Sequence, residues 1–190
     1  MRNTLSILVA NEPGELSRIV GLFSARGYNI ETITVGTTLE KGWSRCTIVT
    51  EGDDSVIEQI LKQCGRLARV REARSVTSLP HIEREMALID VNAKTPADRQ
   101  EIKNLVDIFR AKVVDISHDR MILEASGNKE KVDRFIGLLE SFGLNEVART
   151  GYVAINRLSP VRTESDTDRP LITQLERTTP SAETAATAPS

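Results

Sequence analysis

The chain has 190 residues, of which 39% are hydrophobic, so it can form one domain of ordinary size or two small ones. Its 25 Lys and Arg residues nearly balance its 27 Asp and Glu residues, and both kinds are spread evenly along the chain. The net charge of −2 lacks the basic surplus of a nucleic-acid-binding protein, and no run approaches the ~20 apolar residues of a membrane span. We therefore expect a cytoplasmic protein without a signal peptide that binds neither nucleic acid nor membrane.

The first part of the chain alternates between strand and helix patterns. Alternating apolar residues predict a strand over residues 4–10, and apolar residues at helical spacing predict a helix that ends at Gly27. Two strands rich in β-branched residues, a second helix and a strand over residues 67–78 follow. The order βαββαβ is that of a ferredoxin-like unit, which we expect to occupy residues 1–79.

The same order recurs over residues 80–158. Predicted strands cover residues 87–92, 113–117, 121–125 and 146–156, and predicted helices cover residues 96–110 and 129–142. When the chain is compared with itself at a spacing of 86 residues, Ile19 falls on Leu105 and Phe23 on Phe109. Either a duplication or two helices packed on similar sheets explains this match. The predicted fold class is α+β, with two tandem ferredoxin-like βαββαβ domains.

Two segments outside these units have a composition of their own. Glu83, Arg84 and Glu85 form a charge run between the units, and we expect a solvated linker there. Residues 159–190 contain 4 Pro, 7 Thr and 4 Ser, with no Gly and no aromatic residue. Such a stretch buries too little apolar surface to offset the entropy cost of ordering, which predicts a disordered tail.

The sequence contains little that indicates catalysis or metal binding. Cys46 and Cys64 lie in apolar runs and are too few for a disulfide framework, which predicts buried free thiols. His81 and His118 have neither a Cys nor a second His at ligand spacing, and no nucleophile motif surrounds any Ser. We therefore predict no catalytic site and no metal site.

One strand-to-helix junction, residues 11–16, has the features of a binding site. The start of a helix exposes unpaired N–H groups, Gly14 allows close approach to the backbone, and Pro13 stiffens the turn. With the amide of Asn11, this set suits a small carboxylate that carries an amine, such as an amino acid. An ordinary helix cap with a tight turn explains the same residues, and both interpretations stay open.

The second unit offers a comparison for this junction. At the spacing of 86 residues, Asn11, Pro13 and Gly14 fall on Ala97, Arg99 and Gln100. A purely structural turn is expected to keep Pro-Gly in both units, so its absence from the second unit favours a ligand site in the first unit alone.

These residues also carry a resemblance to a known family, the small regulatory subunit of acetohydroxyacid (acetolactate) synthase. The resembling segments are Asn11-Glu12-Pro13-Gly14, Leu16-Ser17-Arg18, Gly21-Leu22-Phe23-Ser24, Arg26-Gly27-Tyr28-Asn29-Ile30-Glu31, Arg84-Glu85-Met86-Ala87-Leu88, Ile108-Phe109-Arg110-Ala111-Lys112 and Ala148-Arg149-Thr150-Gly151. They occur in order over roughly residues 2–158. Residues 67–71 are more basic than in the family, and residues 124–127 also depart from its pattern.

The resemblance implies that the first domain is an ACT domain, a βαββαβ regulatory module. It implies no catalytic site and no cofactor on this chain, and it places thiamine diphosphate, Mg²⁺ and FAD on a large catalytic subunit that this chain binds and activates. It further implies a homodimer in which two ACT domains pair side by side. Feedback inhibition by valine, often with leucine or isoleucine, is expected from effector bound at that interface.

By position, the resemblance implies an effector site built from two chains: Asn11, Gly14, Glu15 and Leu16 of one chain with Asn29 and Ile30 of the partner subunit. Backbone N–H groups near Gly14 would hold the carboxylate of the effector, and the two asparagines would fix its amine and the interface. Leu16 and Ile30 would line the side-chain pocket. Two alternatives stay open: a stand-alone amino-acid-sensing ACT module that acts on a different partner, and an enzyme in its own right.

Overall fold

The computed structural model describes residues 1–158, so the predicted disordered tail, residues 159–190, lies outside the described residues. The first lobe contains β1 (Arg2–Ala10), α1 (Glu15–Ser24), β2 (Ile30–Thr37), β3 (Trp43–Glu51), α2 (Asp54–Cys64) and β4 (Val70–Ser75). Its sheet has the order β2-β3-β1-β4, and all neighbouring strands are antiparallel. The predicted ferredoxin-like topology of this lobe is confirmed.

The second lobe repeats this topology and adds a strand. It contains β5 (His81–Asn92), α3 (Pro96–Phe109), β6 (Lys112–Ile116), β7 (Arg120–Gly127), α4 (Lys129–Leu139), a 3₁₀ turn (Glu140–Phe142), β8 (Leu144–Arg149) and β9 (Val153–Asn156). The sheet order is β6-β7-β5-β8, and β9 pairs only with the first part of β5. The fold class is therefore α+β with two tandem ferredoxin-like units. The predicted boundary between residues 79 and 80 lies between β4 and β5 and stays a prediction.

The predicted single strand over residues 146–156 is wrong. Gly151 has a φ of 77°, a left-handed conformation that turns the chain out of the sheet between β8 and β9. β8 remains in the sheet, whereas β9 forms a ribbon with the start of β5, where His81 lies opposite Asn156. β5 is longer than the expected strand over residues 87–92, because residues 81–84 pair with β9 in this ribbon.

Each lobe buries one face of its sheet under two helices. In the first lobe Leu5, Ile7 and Val9 alternate along β1 and pack with Ile19 and Phe23 of α1. Cys46 and Cys64 also lie in this core as free thiols, as predicted, and burial raises their pKa to about 12 and about 11 respectively. Both thiols therefore stay protonated and unreactive at neutral pH.

The match at a spacing of 86 residues does not correspond to the structural equivalence of the two lobes. It places Ile19 and Phe23 on Leu105 and Phe109, which are only partly buried, while α3 points Ile102 into the core. The different burial of the matched residues favours two helices packed on similar sheets over a duplication as the explanation of the match. Residues 97–100 consequently lie inside α3, and the strand-to-helix junction of the second lobe ends at Thr95, which closes a capping box with Asp98. Ala97, Arg99 and Gln100 are therefore not the counterparts of Asn11, Pro13 and Gly14, although the junction that ends at Thr95 also lacks Pro-Gly.

The predicted solvated linker at residues 83–85 is wrong as well, because these residues belong to β5. Glu85 is only 3% exposed, and its carboxylate accepts hydrogen bonds from Nε (2.9 Å) and Nη2 of Arg149. Glu83 accepts a hydrogen bond from Arg2 (3.0 Å) and another from the hydroxyl of Thr4. The partners come from β1 and β8, so a linear charge pattern gives no sign of them.

We predict that Arg149→Met lowers the free energy of unfolding by about 3 kcal/mol, because it leaves the buried carboxylate of Glu85 without its partner. The double variant Glu85→Leu/Arg149→Met should recover most of this loss, since no buried charge is left without a partner. Asp133, which also pairs with Arg149, has a side chain that is 38% exposed and keeps its ion pair with Lys129. Urea denaturation measures both. Arg69→Met is the control, because the Arg69–Glu12 pair is exposed on both sides and should contribute less than about 1 kcal/mol. Equal losses from Arg149→Met and Arg69→Met would contradict this account.

Candidate functional site

The junction after β1 is a tight turn that ends in a left-handed glycine. The N–H of Asn11 donates to the carbonyl of Gly42 (2.8 Å), which ties the turn to the loop between β2 and β3. Gly14 then takes φ 88° and ψ −16° as the N-cap of α1, with no side-chain cap. Side chains with a Cβ are strained in this conformation, so the local geometry requires the glycine.

The first turn of α1 leaves backbone donors free. The N–H of Arg18 reaches the carbonyl of Gly14 (3.1 Å), and the N–H of Glu15 makes a long bond to the carbonyl of Glu12 (3.4 Å). Among residues 1–158 the structure records no acceptor for the N–H of Leu16 or of Ser17. These two donors and the positive end of the helix dipole can hold a carboxylate.

Glu15 places a buried carboxylate in the same turn. The residue is 5% exposed, and its Oε1 forms an ion pair with Nη1 of Arg18 at 3.0 Å. Its other oxygen, Oε2, is buried and has no hydrogen-bond partner among the described residues. A carboxylate oxygen in this position has acceptor capacity for an ammonium group.

Two arginines of the basic segment, residues 67–71, form ion pairs with the loops around this junction. Arg69 forms an ion pair with Glu12 (3.5 Å). Arg71 donates to both carboxylate oxygens of Glu40 (2.8 and 2.7 Å) and lies over the ring of Trp43. The departure of residues 67–71 from the family pattern therefore has a local structural role. The sequence signal was the alternation of Arg69 and Arg71, which puts both on one face of the chain entering β4.

The structure places the remaining predicted site residues at the other end of the sheet. Ile30, the first residue of β2, lies opposite Thr50 of β3, and Thr50 lies opposite Asn3 near the start of β1. Asn11, in contrast, follows the last residue of β1. Ile30 is thus about 25 Å from Asn11 along the strand direction, because eight residues of β1 separate their levels. Asn29 is exposed, and its carbonyl accepts a hydrogen bond from the hydroxyl of Thr50 (2.6 Å). One chain therefore brings Asn11, Gly14, Glu15 and Leu16 together but not Asn29 and Ile30.

Sequence reasoning missed the surroundings of Ile30. The pairing of β2 with β3 shifts register between Ile30 and Thr32, so Glu31 lies on a β-bulge. The carboxylate of Glu31 approaches Nε of Arg2 at 3.9 Å. No local pattern predicts this approach, since the two residues belong to different strands.

Other kinds of site find little support in residues 1–158. Within them, no group of three or more His, Cys, Asp or Glu side chains is arranged to hold a metal ion. None of the helices in this range is long and apolar enough to cross a membrane.

Comparisons with known proteins cover nearly all of the described residues. Residues 84–158 match the family described as the small subunit of acetolactate synthase, and residues 5–72 match the ACT domain of AHAS small subunit-like proteins. A probable acetolactate synthase small subunit of Archaeoglobus fulgidus is 48% identical over 157 residues, covering 83% of this chain and 98% of the relative. The acetolactate synthase small subunit of Aquifex aeolicus is 44% identical over 165 residues, covering 87% of this chain and 86% of the relative.

A solved structure agrees with these relatives. The crystal structure of the acetolactate synthase small subunit from Thermotoga maritima superposes with a TM-score of 0.79 at 44% identity. The match covers 84% of this chain and 99% of that one. From the matched families, the relatives and the shared two-lobed fold, we conclude that this chain belongs to the acetolactate synthase small-subunit family and that its first lobe is an ACT domain.

Proposed function

We propose that this chain is the non-catalytic regulatory subunit of an acetolactate synthase. It binds the large catalytic subunit, raises its activity and makes it sensitive to feedback inhibition by a branched-chain amino acid, in the first place valine. Thiamine diphosphate, Mg²⁺ and FAD belong to the catalytic subunit in this proposal. The observation that carries the effector site is that the N–H groups of Leu16 and Ser17, and Oε2 of Glu15 in the same helical turn, have no hydrogen-bond partner among residues 1–158.

The proposed site is complementary to a zwitterion. The N–H groups of Leu16 and Ser17 bind the carboxylate of the effector, and the positive end of α1 stabilises it. The ammonium group lies toward Oε2 of Glu15 and the side-chain amide of Asn11. Leu16 is 41% exposed and provides apolar surface for the aliphatic side chain.

A second copy of the chain completes this site. β2 lies at the edge of the first sheet and runs parallel to β1, with β3 between them. Antiparallel pairing of two β2 strands about a two-fold axis carries the start of the partner's strand to the end of the sheet where residues 11–16 lie. Asn29 and Ile30 of the partner subunit then face the junction that one chain leaves open. We therefore propose a homodimer formed through the ACT domains.

We predict that Gly14→Asp abolishes valine binding but keeps activation of the catalytic subunit. The new carboxylate strains a left-handed position and competes with the effector for the same N–H groups. Isothermal titration of the purified chain should show about one valine per chain for the wild type and at least tenfold weaker binding for the variant. Assays with the reconstituted enzyme should show activation without valine inhibition.

Gly137→Asp is the matched control for this variant. Gly137 lies on α4 in open space and does not have the left-handed conformation of Gly14, so the same added charge should leave valine binding unchanged. A Gly14→Asp chain that stays fully sensitive to valine would show that the effector binds elsewhere. A wild-type chain that binds valine but neither copurifies with nor activates the catalytic subunit would instead support a stand-alone sensor.

We further predict that both charges of the effector are needed. Isovalerate lacks the ammonium group and valinamide lacks the carboxylate, so each should compete with valine at least tenfold less well than leucine does. Competition calorimetry measures this directly. Tight binding of isovalerate would contradict the role given to Glu15, and tight binding of valinamide would contradict that of the helix N-terminus.

A further inference from the structure

Arg2 occupies an unusual position where the two lobes meet. Its Nη1 donates to Oε2 of Glu83 at 3.0 Å, and its guanidinium lies 4.6 Å from the ring centre of Tyr152. Its Nε and Nη2 are buried and have no hydrogen-bond acceptor among the described residues. Buried donors without an acceptor are rare, so this side chain is held in place by the second lobe while part of its hydrogen-bonding capacity stays unused.

A carboxylate of the first lobe lies close to the unused Nε. Oε2 of Glu31 lies 3.9 Å from this atom, which is too far for a hydrogen bond. A shift of about 1 Å would bring the two atoms into hydrogen-bond range. Glu31 lies on the β-bulge that directly follows Ile30, and a bulge aims its side chain independently of the regular ladder. The bulge thus connects the proposed effector residues Asn29 and Ile30 to Arg2.

The second lobe is in contact with β2 on the same face of the sheet. The hydroxyl of Thr34 donates to the carbonyl of Thr150 (3.0 Å), and a Cβ added to Gly151 would lie 2.7 Å from Oγ1 of Thr34. Close to this contact, a cavity of about 380 Å³ is lined by Glu31 and by the loop that carries Tyr152. The carboxylate of Glu31 therefore has open space beside it, while Thr34 is hydrogen-bonded to the second lobe.

We propose that Arg2 is the positioning residue through which effector binding reaches the second lobe. Effector bound against Asn29 and Ile30 shifts the bulge, Glu31 closes on Nε of Arg2, and Arg2 passes the change to its partners Glu83 and Tyr152 in the second lobe. The inference rests on the proposed effector site and supplies the two-state contact that coupling between distant sites requires. Arg2 itself does not touch the effector.

The test uses the full chain reconstituted with its catalytic subunit and compares valine binding with valine inhibition. Glu31→Ala removes the closing acceptor from a side chain that is 30% exposed, so the fold should tolerate it. We expect valine binding within about threefold of the wild type and activation within about twofold, but a loss of at least four fifths of the maximal inhibition. Arg2→Lys, which keeps a cation for Glu83 but lacks the Nε–H donor, should give the same separation. Glu31→Gln, which keeps an acceptor oxygen, should retain part of the inhibition.

Glu51→Ala is the control. Glu51 lies opposite Arg2 in the strand register but forms no ion pair with it in the described part of the chain, so inhibition should be unchanged. Full valine inhibition of the Glu31→Ala enzyme would overturn the coupling role. An equal loss of valine binding and valine inhibition would also overturn it, because Glu31 would then belong to the effector site itself. A wild-type chain that fails to bind valine would overturn the proposed function and this inference together.

Discussion

The ion pair between Arg2 and Glu83 joins the first strand of one lobe to the first strand of the other, and the proposed coupling between the lobes passes through it. Each sheet covers only one face with helices, so the other face of the first sheet needs a different cover. Thr4 and Ser6 on that face are fully buried. The hydroxyl of Thr4 donates to Glu83 of the second lobe, and the hydroxyl of Ser6 accepts from Arg45 (2.8 Å) of the neighbouring strand β3, so both buried polar groups on this face have partners. A polar, charged contact of this kind fixes geometry more than it adds stability.

The direction of the strands decides what one chain can bind. β1 and β2 run parallel, so the junction that begins at Asn11 and the start of β2 at Ile30 lie at opposite ends of the sheet. An antiparallel arrangement of two copies, paired through β2, would bring such ends together. The proposed effector site is therefore tied to dimerisation, and the bulge at Glu31 links the same strand end to the second lobe. In the proposed arrangement, effector binding, dimer pairing and coupling to the second lobe therefore all involve the start of β2.

Periodicity was sufficient to predict most elements, because the apolar faces of strands and helices repeat locally. The alternation of Leu5, Ile7 and Val9 marked β1, and the helical spacing of Ile19 and Phe23 marked α1. The prediction failed where a distant residue determined the outcome. Gly151 ends β8 through a left-handed turn against β2, and Glu85 is buried because Arg149 reaches it from β8. A linear sequence displays neither contact.

The junction at residues 11–16 was recognised from residue types alone, since Gly14 and a helix start have known backbone chemistry. The residues around the junction were not recognised from the sequence, because Arg69 and Arg71 form ion pairs with loops that are distant from them in sequence. The resemblance to the family supplied Asn29 and Ile30, and the strand order shows why a single chain does not unite them with Gly14.

Valine binding by mixed dimers tests most directly whether the effector site is shared between two chains. Gly14→Asp chains and Asn29→Ala chains, carrying different affinity tags, are coexpressed and the mixed dimer is purified through both tags. A shared site predicts that neither parent dimer binds valine, whereas the mixed dimer binds one valine per dimer with wild-type affinity. A chain carrying both substitutions, paired with a wild-type chain, should bind none. The reverse result would show that each site lies within a single chain: no binding by the dimer of a Gly14→Asp chain with an Asn29→Ala chain, and one valine per dimer of the double variant with the wild-type chain.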